Sequence, residues 1–342
     1  MPFGGDGRSE VKSRTGLSTP FAAQLPWDVF QTKCIKKESS QKMSHTMSLK
    51  FYWADVFATE ALAGNPLPVV VDADGLDDAT MKRITREFNQ AETTFVLKPS
   101  RAGATHRLRS FTVPGHEVFG AGHNALGAWL VLADAGYVKG DAPSVTFHQE
   151  LGEHVLPVEL LFDGTVLRRV VMKHSSPVFG ATVTDASALA SSLGLDVDDI
   201  DLTRFPAQVV STGAPHCLIP VRDRRAIDRA RPDAERLLAI LGPAGGEGCY
   251  IFALDPVDPT ATAYARFFNP TMGIYEDSAT GTAAGPLAAQ LVAKGIVPDK
   301  STVIIEQGYA MGRPSRLELR VCGDDVRLYG SGVVIAEGVL RI

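Results

Sequence analysis

Glu276-Asp277-Ser278-Ala279-Thr280-Gly281-Thr282-Ala283-Ala284-Gly285-Pro286 gathers acids, hydroxyls and the smallest residues into one run. It precedes a helix-forming stretch, Leu287 to Lys294, that Gly295 closes. Small residues let a backbone approach a ligand closely, and unpaired N–H groups at a helix start attract an anion. The run therefore reads as a helix N-terminus that holds a carboxylate or phosphate, with an acid, Asp277, beside it. Pro286 is expected in the first helical turn, where its missing N–H costs little. Taken alone, the run also fits a Gly/Ala-rich turn before a packed helix.

An echo upstream favours the first reading. Phe119-Gly120-Ala121-Gly122-His123-Asn124-Ala125-Leu126-Gly127 precedes a second helix-forming stretch, Ala128 to Ala135, closed by Gly136. With Gly122 set against Gly281, His123 meets Thr282, Ala125 meets Ala284, and both closing glycines lie 14 residues on. Arg109-Ser110-Phe111 resembles Arg266-Phe267-Phe268, and Gly64-Asn65-Pro66 resembles Gly213-Ala214-Pro215. Self-similarity in one order argues for two copies of one unit. Two such helix starts facing each other would neutralise a small acid's carboxylate with backbone N–H groups.

A chain of 342 residues fits about two domains. Its 45% hydrophobic and 21% charged residues are ordinary for a globular protein. A net charge of −5 gives no reason to expect nucleic acid or an anionic membrane as partner. The apolar runs are too short and broken to span a bilayer. Cys34, Cys217, Cys249 and Cys322 are scattered without metal-ligand or redox spacing, as expected of reduced thiols in a cytoplasmic protein. Residues 1–46, rich in Ser, Thr, Lys and Gly, read as a disordered extension, with Met43 or Met47 as an alternative start.

The rest alternates short strands with few helices, an α+β pattern rich in antiparallel strands with one prominent helix per half. Asp77 to Asn89 has helical spacing, with Met81, Ile84 and Phe88 on one face. Ala226 to Leu241 reads as one amphipathic helix before a Gly-rich loop at 242–248, and 174–182 reads as a crossover. Gln90-Ala91-Glu92-Thr93-Thr94-Phe95-Val96-Leu97 reads as a strand entered through an acid. Burial there would raise the Glu92 pKa, as a general acid/base near neutral pH requires. Taken alone, Glu92 also fits a solvated strand-end carboxylate. No dinucleotide fingerprint, Walker loop or nucleophile elbow is present, and His116 and His123 lack a third ligand at zinc spacing.

Taken together, these residues resemble the phenazine-biosynthesis isomerase-like (PhzF-like) family, with a diaminopimelate-epimerase-like fold. The resemblance runs from about Met47 to the C-terminus. It rests on Asp55-Val56-Phe57, Gly64-Asn65-Pro66, Glu92-Thr93-Thr94-Phe95-Val96, Gly122-His123, Arg266-x-Phe268-x-Pro270 and the 276–286 run. It continues through Gln307-Gly308, Gly312-Arg313-Pro314-Ser315, Gly330-x-Gly332 and Ala336-Glu337-Gly338. The resemblance implies two pseudo-symmetric domains, each a curled, mostly antiparallel sheet around a central helix: residues 47–173 joined by the strand 330–342, and residues 174–329. It also implies a cleft site between them, a homodimer and no cofactor. By the same resemblance Glu92 is the catalytic acid/base with His123 and Asp277 as neighbours. Gly122, Gly281, Thr282 and Thr280 stand at the substrate-binding helix starts, Thr282 in place of a serine seen in some members.

Two departures bear on the reaction. The loop from Phe111 to Gly122 is one residue longer than the usual pattern, with Pro114-Gly115-His116 where Pro-x-Asn is common. Epimerases of this fold use paired cysteines at the two helix starts, and here Ala121 and Thr280 take those places. The expected function is therefore a cofactor-independent isomerase that shifts a proton and double bond in a small carboxylic acid, of the trans-2,3-dihydro-3-hydroxyanthranilate type. An epimerase, a lyase or cyclase of secondary metabolism, and a non-catalytic small-acid-binding protein remain as alternatives.

Overall fold

The computed structural model describes residues 47–120 and 122–342, so the expected extension over 1–46 and the Ala121 position lie outside the described residues. Strand character follows burial. Ser315–Cys322 alternates buried and exposed residues, as a sheet with one covered face requires. Gly248–Ala253 is buried throughout because both its faces are covered. Tyr250 and Phe252 enter the central core, and Cys249, Ile251 and Ala253 enter a second, outer core.

The first half runs β1 (Ser48–Val56), β2 (Asn65–Val70), α1 (Asp78–Phe88), β3 (Glu92–Leu97), β4 (His106–Thr112), β5 (Glu117–Val118), α2 (His123–Asp134), β6 (Ser144–Leu151), β7 (His154–Asp163) and β8 (Val166–Lys173). The second runs β9 (Val178–Val183), α3 (Ala186–Leu193), β10 (Ala207–Ser211), β11 (Pro215–Pro220), α4 (Arg224–Arg229), α5 (Ala234–Ala244), β12 (Gly248–Ala253), β13 (Ala263–Asn269), β14 (Ile274–Asp277), α6 (Gly281–Ala293), β15 (Thr302–Gln307), β16 (Ser315–Cys322) and β17 (Asp325–Gly330), before β18 (Gly332–Arg341).

The same pairing pattern occurs twice. β18, β1 and β2 pair antiparallel, β2 and β3 parallel, β3 and β4 antiparallel, β4 and β6 parallel, then β6, β7 and β8 antiparallel. β9, β10 and β11 pair antiparallel, β11 and β12 parallel, β12 and β13 antiparallel, β13 and β15 parallel, then β15, β16 and β17 antiparallel. β8 and β17 join the two series into one 18-stranded sheet. α2 packs on β1, β2, β3, β4, β8 and β18, and α6 packs on β10, β11, β16 and β17. Both helices are apolar on nearly every side, as fully enclosed helices are, and Leu126, Trp129, Leu287 and Leu291 share one core. This is the expected α+β, diaminopimelate-epimerase-like arrangement.

The repeat extends to side chains. Arg109 on β4 grips Glu117 on β5 through two hydrogen bonds of 2.7 Å, and Arg266 on β13 grips Glu276 on β14 through two of 2.8 Å. Each guanidinium also lies 5.0 Å from a phenylalanine ring, Phe111 or Phe268. The second pair is the more enclosed, with side chains 4% and 8% exposed against 13% and 24%. Replacing Glu276 with glutamine is therefore expected to cost about 2 kcal/mol, because a buried guanidinium loses its counter-charge. The same change at Glu117 should cost under about 1 kcal/mol; urea unfolding of the two variants measures the difference.

Several elements differ from the sequence reading. The expected crossover at 174–182 contains β9, which pairs with β10 as β18 pairs with β1. The helix expected over 226–241 divides into α4 and α5, because Pro232 lies between them and the residue before a proline avoids helical geometry. α5 runs on through Pro243 into the expected glycine loop. α6 starts at Gly281, so Pro286 sits inside the helix rather than in its first turn. Both closing glycines, Gly136 and Gly295, do adopt positive φ, at 77° and 68°.

Candidate active site

Glu92 is the first residue of β3 and stands opposite Thr112 of β4. α2 begins directly at His123, after the N-cap Gly122. This places His123 Nε2 3.7 Å from Glu92 Oε2, with the two side chains only 8% and 12% exposed. Both atoms are buried and without a hydrogen-bond partner, an arrangement that leaves their hydrogen-bonding capacity for a ligand's polar group. Burial pushes the Glu92 carboxyl above its ordinary value; His123 opposes the rise and the charge of Asp277 adds to it.

Asp277, the last residue of β14, is held from every side. Asn65 Nδ2 donates to one carboxylate oxygen at 2.7 Å and to the Ala279 carbonyl at 3.0 Å. The Thr280 hydroxyl donates to the other oxygen. Gln307 Nε2 donates to the Asp277 carbonyl at 2.7 Å and to Thr280 Oγ1 at 3.0 Å. Gln307 Oε1 accepts from the Thr280 N–H at 3.2 Å and from the Tyr250 hydroxyl at 2.9 Å. Thr280, expected among the substrate binders, thus gives its hydroxyl hydrogen to Asp277. Asn65, Gln307 and Tyr250 were not candidates from sequence. Asn65 and Gln307 stand in motifs that the sequence reading used only as repeat and family markers.

The two helix starts meet. Neither N-cap, Gly122 or Thr280, is capped by a side chain, so the first N–H groups of α2 and α6 have no intrahelical partner. The Thr282 methyl lies 3.6 Å from where a Cβ on Gly122 would stand and 3.7 Å from one on Gly120. Gly281 lacks a side chain for a packing reason, since a Cβ there would come within 2.6 Å of Leu328.

His216 of β11 is a further site residue that sequence did not single out. Its Nε2 lies 3.2 Å from Thr282 Oγ1, its ring packs edge-on against Phe267, and its Nδ1 is buried without a partner. Burial pushes its pKa down to about 3, so it is neutral at physiological pH. With the proton on Nε2 it donates to Thr282, leaving the Thr282 hydroxyl hydrogen for a ligand. His174, packed against Gly285 and hydrogen-bonded to Thr212 at 2.9 Å, is likewise pushed down, to about 4. Both folded pKa values lie below the ordinary 6.5, so the stability of these neutral rings is complete above 6.5 and drains as pH falls towards 4 and 3. His216→Gln should lose less stability than wild type over that acid range; thermal unfolding at stepped pH measures it.

The repeat is broken at Glu92. Phe95 pairs with Arg109, and Ile251 pairs with the equivalent Arg266. Three residues back along each strand stand Glu92 and Gly248. A Cβ on Gly248 would lie 2.5 Å from the Phe267 ring and 3.1 Å from His216, so the second repeat has no space for a matching carboxylate. Beside Asp277 opens a cavity of about 300 Å³ lined by Asn65, Thr112, Val113, Pro114, Ile274 and Met311. Of the longer Pro114-Gly115-His116 loop, Pro114 is in that lining, and the loop is folded back by a Gly115 N–H bond to the Thr112 carbonyl of 2.8 Å.

Among the described residues no helix is long and apolar enough to cross a membrane. Residues 54–338 match the family described as phenazine biosynthesis-like protein. A trans-2,3-dihydro-3-hydroxyanthranilate isomerase of Pseudomonas aeruginosa is 33% identical over 289 residues, covering 83% of this chain and 96% of the relative. An uncharacterized isomerase of Mesorhizobium japonicum is 35% identical over 309 residues, covering 84% and 97%. A PhzF-family phenazine biosynthesis protein of Bacillus anthracis superposes with a TM-score of 0.78 at 27% identity, covering 86% of this chain and 100% of that one.

Proposed function

Because the chain belongs to the phenazine biosynthesis-like (PhzC–PhzF) family and is an isomerase, we propose that it shifts a proton, and with it a double bond, within a small carboxylic acid by cofactor-independent general acid/base catalysis. The observation that carries this reading is the Glu92 carboxyl, enclosed beside His123, with an unpartnered oxygen and a raised pKa. A carboxylate in that state is matched to abstracting a proton from carbon near neutral pH.

In this account the substrate carboxylate sits at the meeting point of the α2 and α6 starts. The N–H groups of Gly281, Thr282 and His123, with the Thr282 hydroxyl, hold it there, while Gly122, whose own N–H is taken by Asn124 Oδ1 at 3.0 Å, leaves the approach open. Glu92 takes a proton from one carbon. The electron pair left behind forms a new double bond, and the electrons of the old one move to the far carbon. That carbon receives a proton from the Glu92 acid or from His123. The helix starts stabilise the negative charge that develops between the two transfers. Asp277, fixed by Asn65, Thr280 and Gln307, orients the substrate and keeps the Glu92 proton affinity high. The relative's name points to a dihydro-hydroxyanthranilate or similar acid as substrate.

The proposal includes two domains, 47–173 with 330–342 and 174–329, closing on the substrate. It also includes a homodimer in the cytoplasm, where Cys217, Cys249 and Cys322 stay as the free thiols they are. Proton NMR of the enzyme with trans-2,3-dihydro-3-hydroxyanthranilate and a panel of related acids tests the reaction. Migration of the olefinic resonances supports the proposal. Inverted stereochemistry with an unmoved double bond would replace it with an epimerase, and binding without change would replace it with a binding protein.

A further inference from the structure

The outer face of the second repeat holds a cavity of about 630 Å³, larger than the one of about 300 Å³ beside Asp277, and the two share no lining residue. Its walls are Arg224, Arg231, Tyr264, Tyr275 and Tyr309, with Arg266 among them. We propose that this cavity binds a small aromatic anion, at a site separate from the catalytic one.

Charge gives the first argument. Arg266 is neutralised by Glu276, and the one acid in the lining, Asp228, accepts the Tyr264 hydroxyl at 2.7 Å. Arg224 and Arg231 have no carboxylate in ion-pair contact among the described residues; they are steadied by carbonyls instead. Arg224 donates one nitrogen to Pro256 O at 2.8 Å, and Arg231 donates one to Asp228 O at 3.0 Å and Ala230 O at 2.8 Å. Each keeps its remaining N–H groups for a ligand, already oriented, which lowers the ordering cost of binding. A positively lined hollow on a chain of net charge −5 selects anions.

The aromatic wall gives the second argument. The Tyr264 and Tyr309 rings stand 5.6 Å apart at 56°, forming a corner against which a flat ring packs, while Tyr275 is 65% exposed at the rim. A ring against this corner places its acid group between the two guanidiniums, which bind planar carboxylates in a fork. The Arg266–Glu276 pair is the partition, since Arg266 lines this cavity and Glu276 lines the one beside Asp277.

Calorimetric titration with 2-naphthoate, and with the neutral 2-naphthylmethanol, tests the site. Naphthoate is expected to bind the wild type and Glu92→Gln alike. Binding should weaken about tenfold or more for Arg231→Ala and Arg224→Ala, and for the neutral alcohol. Arg231 is exposed, so Arg231→Ala decides the matter if Arg224→Ala does not fold. No naphthoate binding at millimolar concentration, equal binding of the alcohol, or binding unchanged by Arg231→Ala would overturn the proposal.

Discussion

Glu92→Gln abolishes turnover, by about a thousandfold or more, the range for removing a general acid/base, while the variant unfolds no more easily than wild type at neutral pH. The two outcomes have one cause. Glutamine keeps the shape of the side chain and removes its proton chemistry. Burial, with the charge of Asp277 added, raises the folded pKa above the ordinary 4.5, and His123 offsets only part of the rise. A group raised in this way favours the native state below its unfolded pKa, and that favour is lost as pH rises through the folded value. As pH rises through that folded value the wild type takes on a disfavoured charge that the glutamine variant never carries. The stability gap between the two should widen as pH rises above 4.5 through the folded value. The acid limb of the wild-type kcat/KM profile should fall above 4.5. A variant that is both inactive and destabilised at neutral pH would speak for a structural role instead.

Gly308→Ala should cost about 3 kcal/mol or more, the sum of a left-handed backbone and an overpacked contact. Its φ is 84°, and an added Cβ would stand 2.2 Å from the Arg313 carbonyl oxygen and 2.6 Å from that of Ser278. Both contacts are backbone, so no rotamer change relieves them. Arg313 N–H closes back onto Gly308 O at 3.0 Å, and Gln307, the residue before, clamps Asp277 and Thr280. The strain therefore reaches the site, and activity should fall more steeply than folded population. Gly295→Ala is the control. Its φ is 68° but nothing lies within 4 Å of an added Cβ, so about 1 kcal/mol is expected from the backbone alone. Urea unfolding of the two variants measures the contrast.

The fold was legible because the signals that define it are local and doubled. The glycines after α2 and α6 lie at one offset from the two helix starts, and an Arg-x-Phe strand precedes each start in the same order; each does in the structure what its chemistry suggests. Asp77 and Asp185 cap their helices. β9 was hidden because its exposed residues, Val178 to Val183, lack the alternation that marks a half-buried strand. Its partner contact comes from a strand 24 or more residues away in the chain. The division of α4 from α5 was hidden behind an apolar periodicity that continues across the break.

In the site, the residues with titratable chemistry stood out, while those that hold them did not. Gln307 and Asn65 act through amide hydrogen bonds to backbone and carboxylate, and nothing in an amide's neighbours along the chain announces such partners. His216 lies between apolar residues on a strand, where a histidine reads as core. Only the fold brings its Nε2 to Thr282, 66 residues away. The broken symmetry at Gly248 is likewise a register fact, visible once the β12–β13 pairing is known.

The decisive measurement is the incorporation of deuterium from heavy water into the acid product, run for wild type beside Glu92→Gln with the same substrate. A migrated double bond with deuterium at the newly protonated carbon in the wild type, and neither in the variant, is the predicted outcome. Full exchange and migration by Glu92→Gln would show that another group carries the proton, and the account given for Glu92 would be wrong.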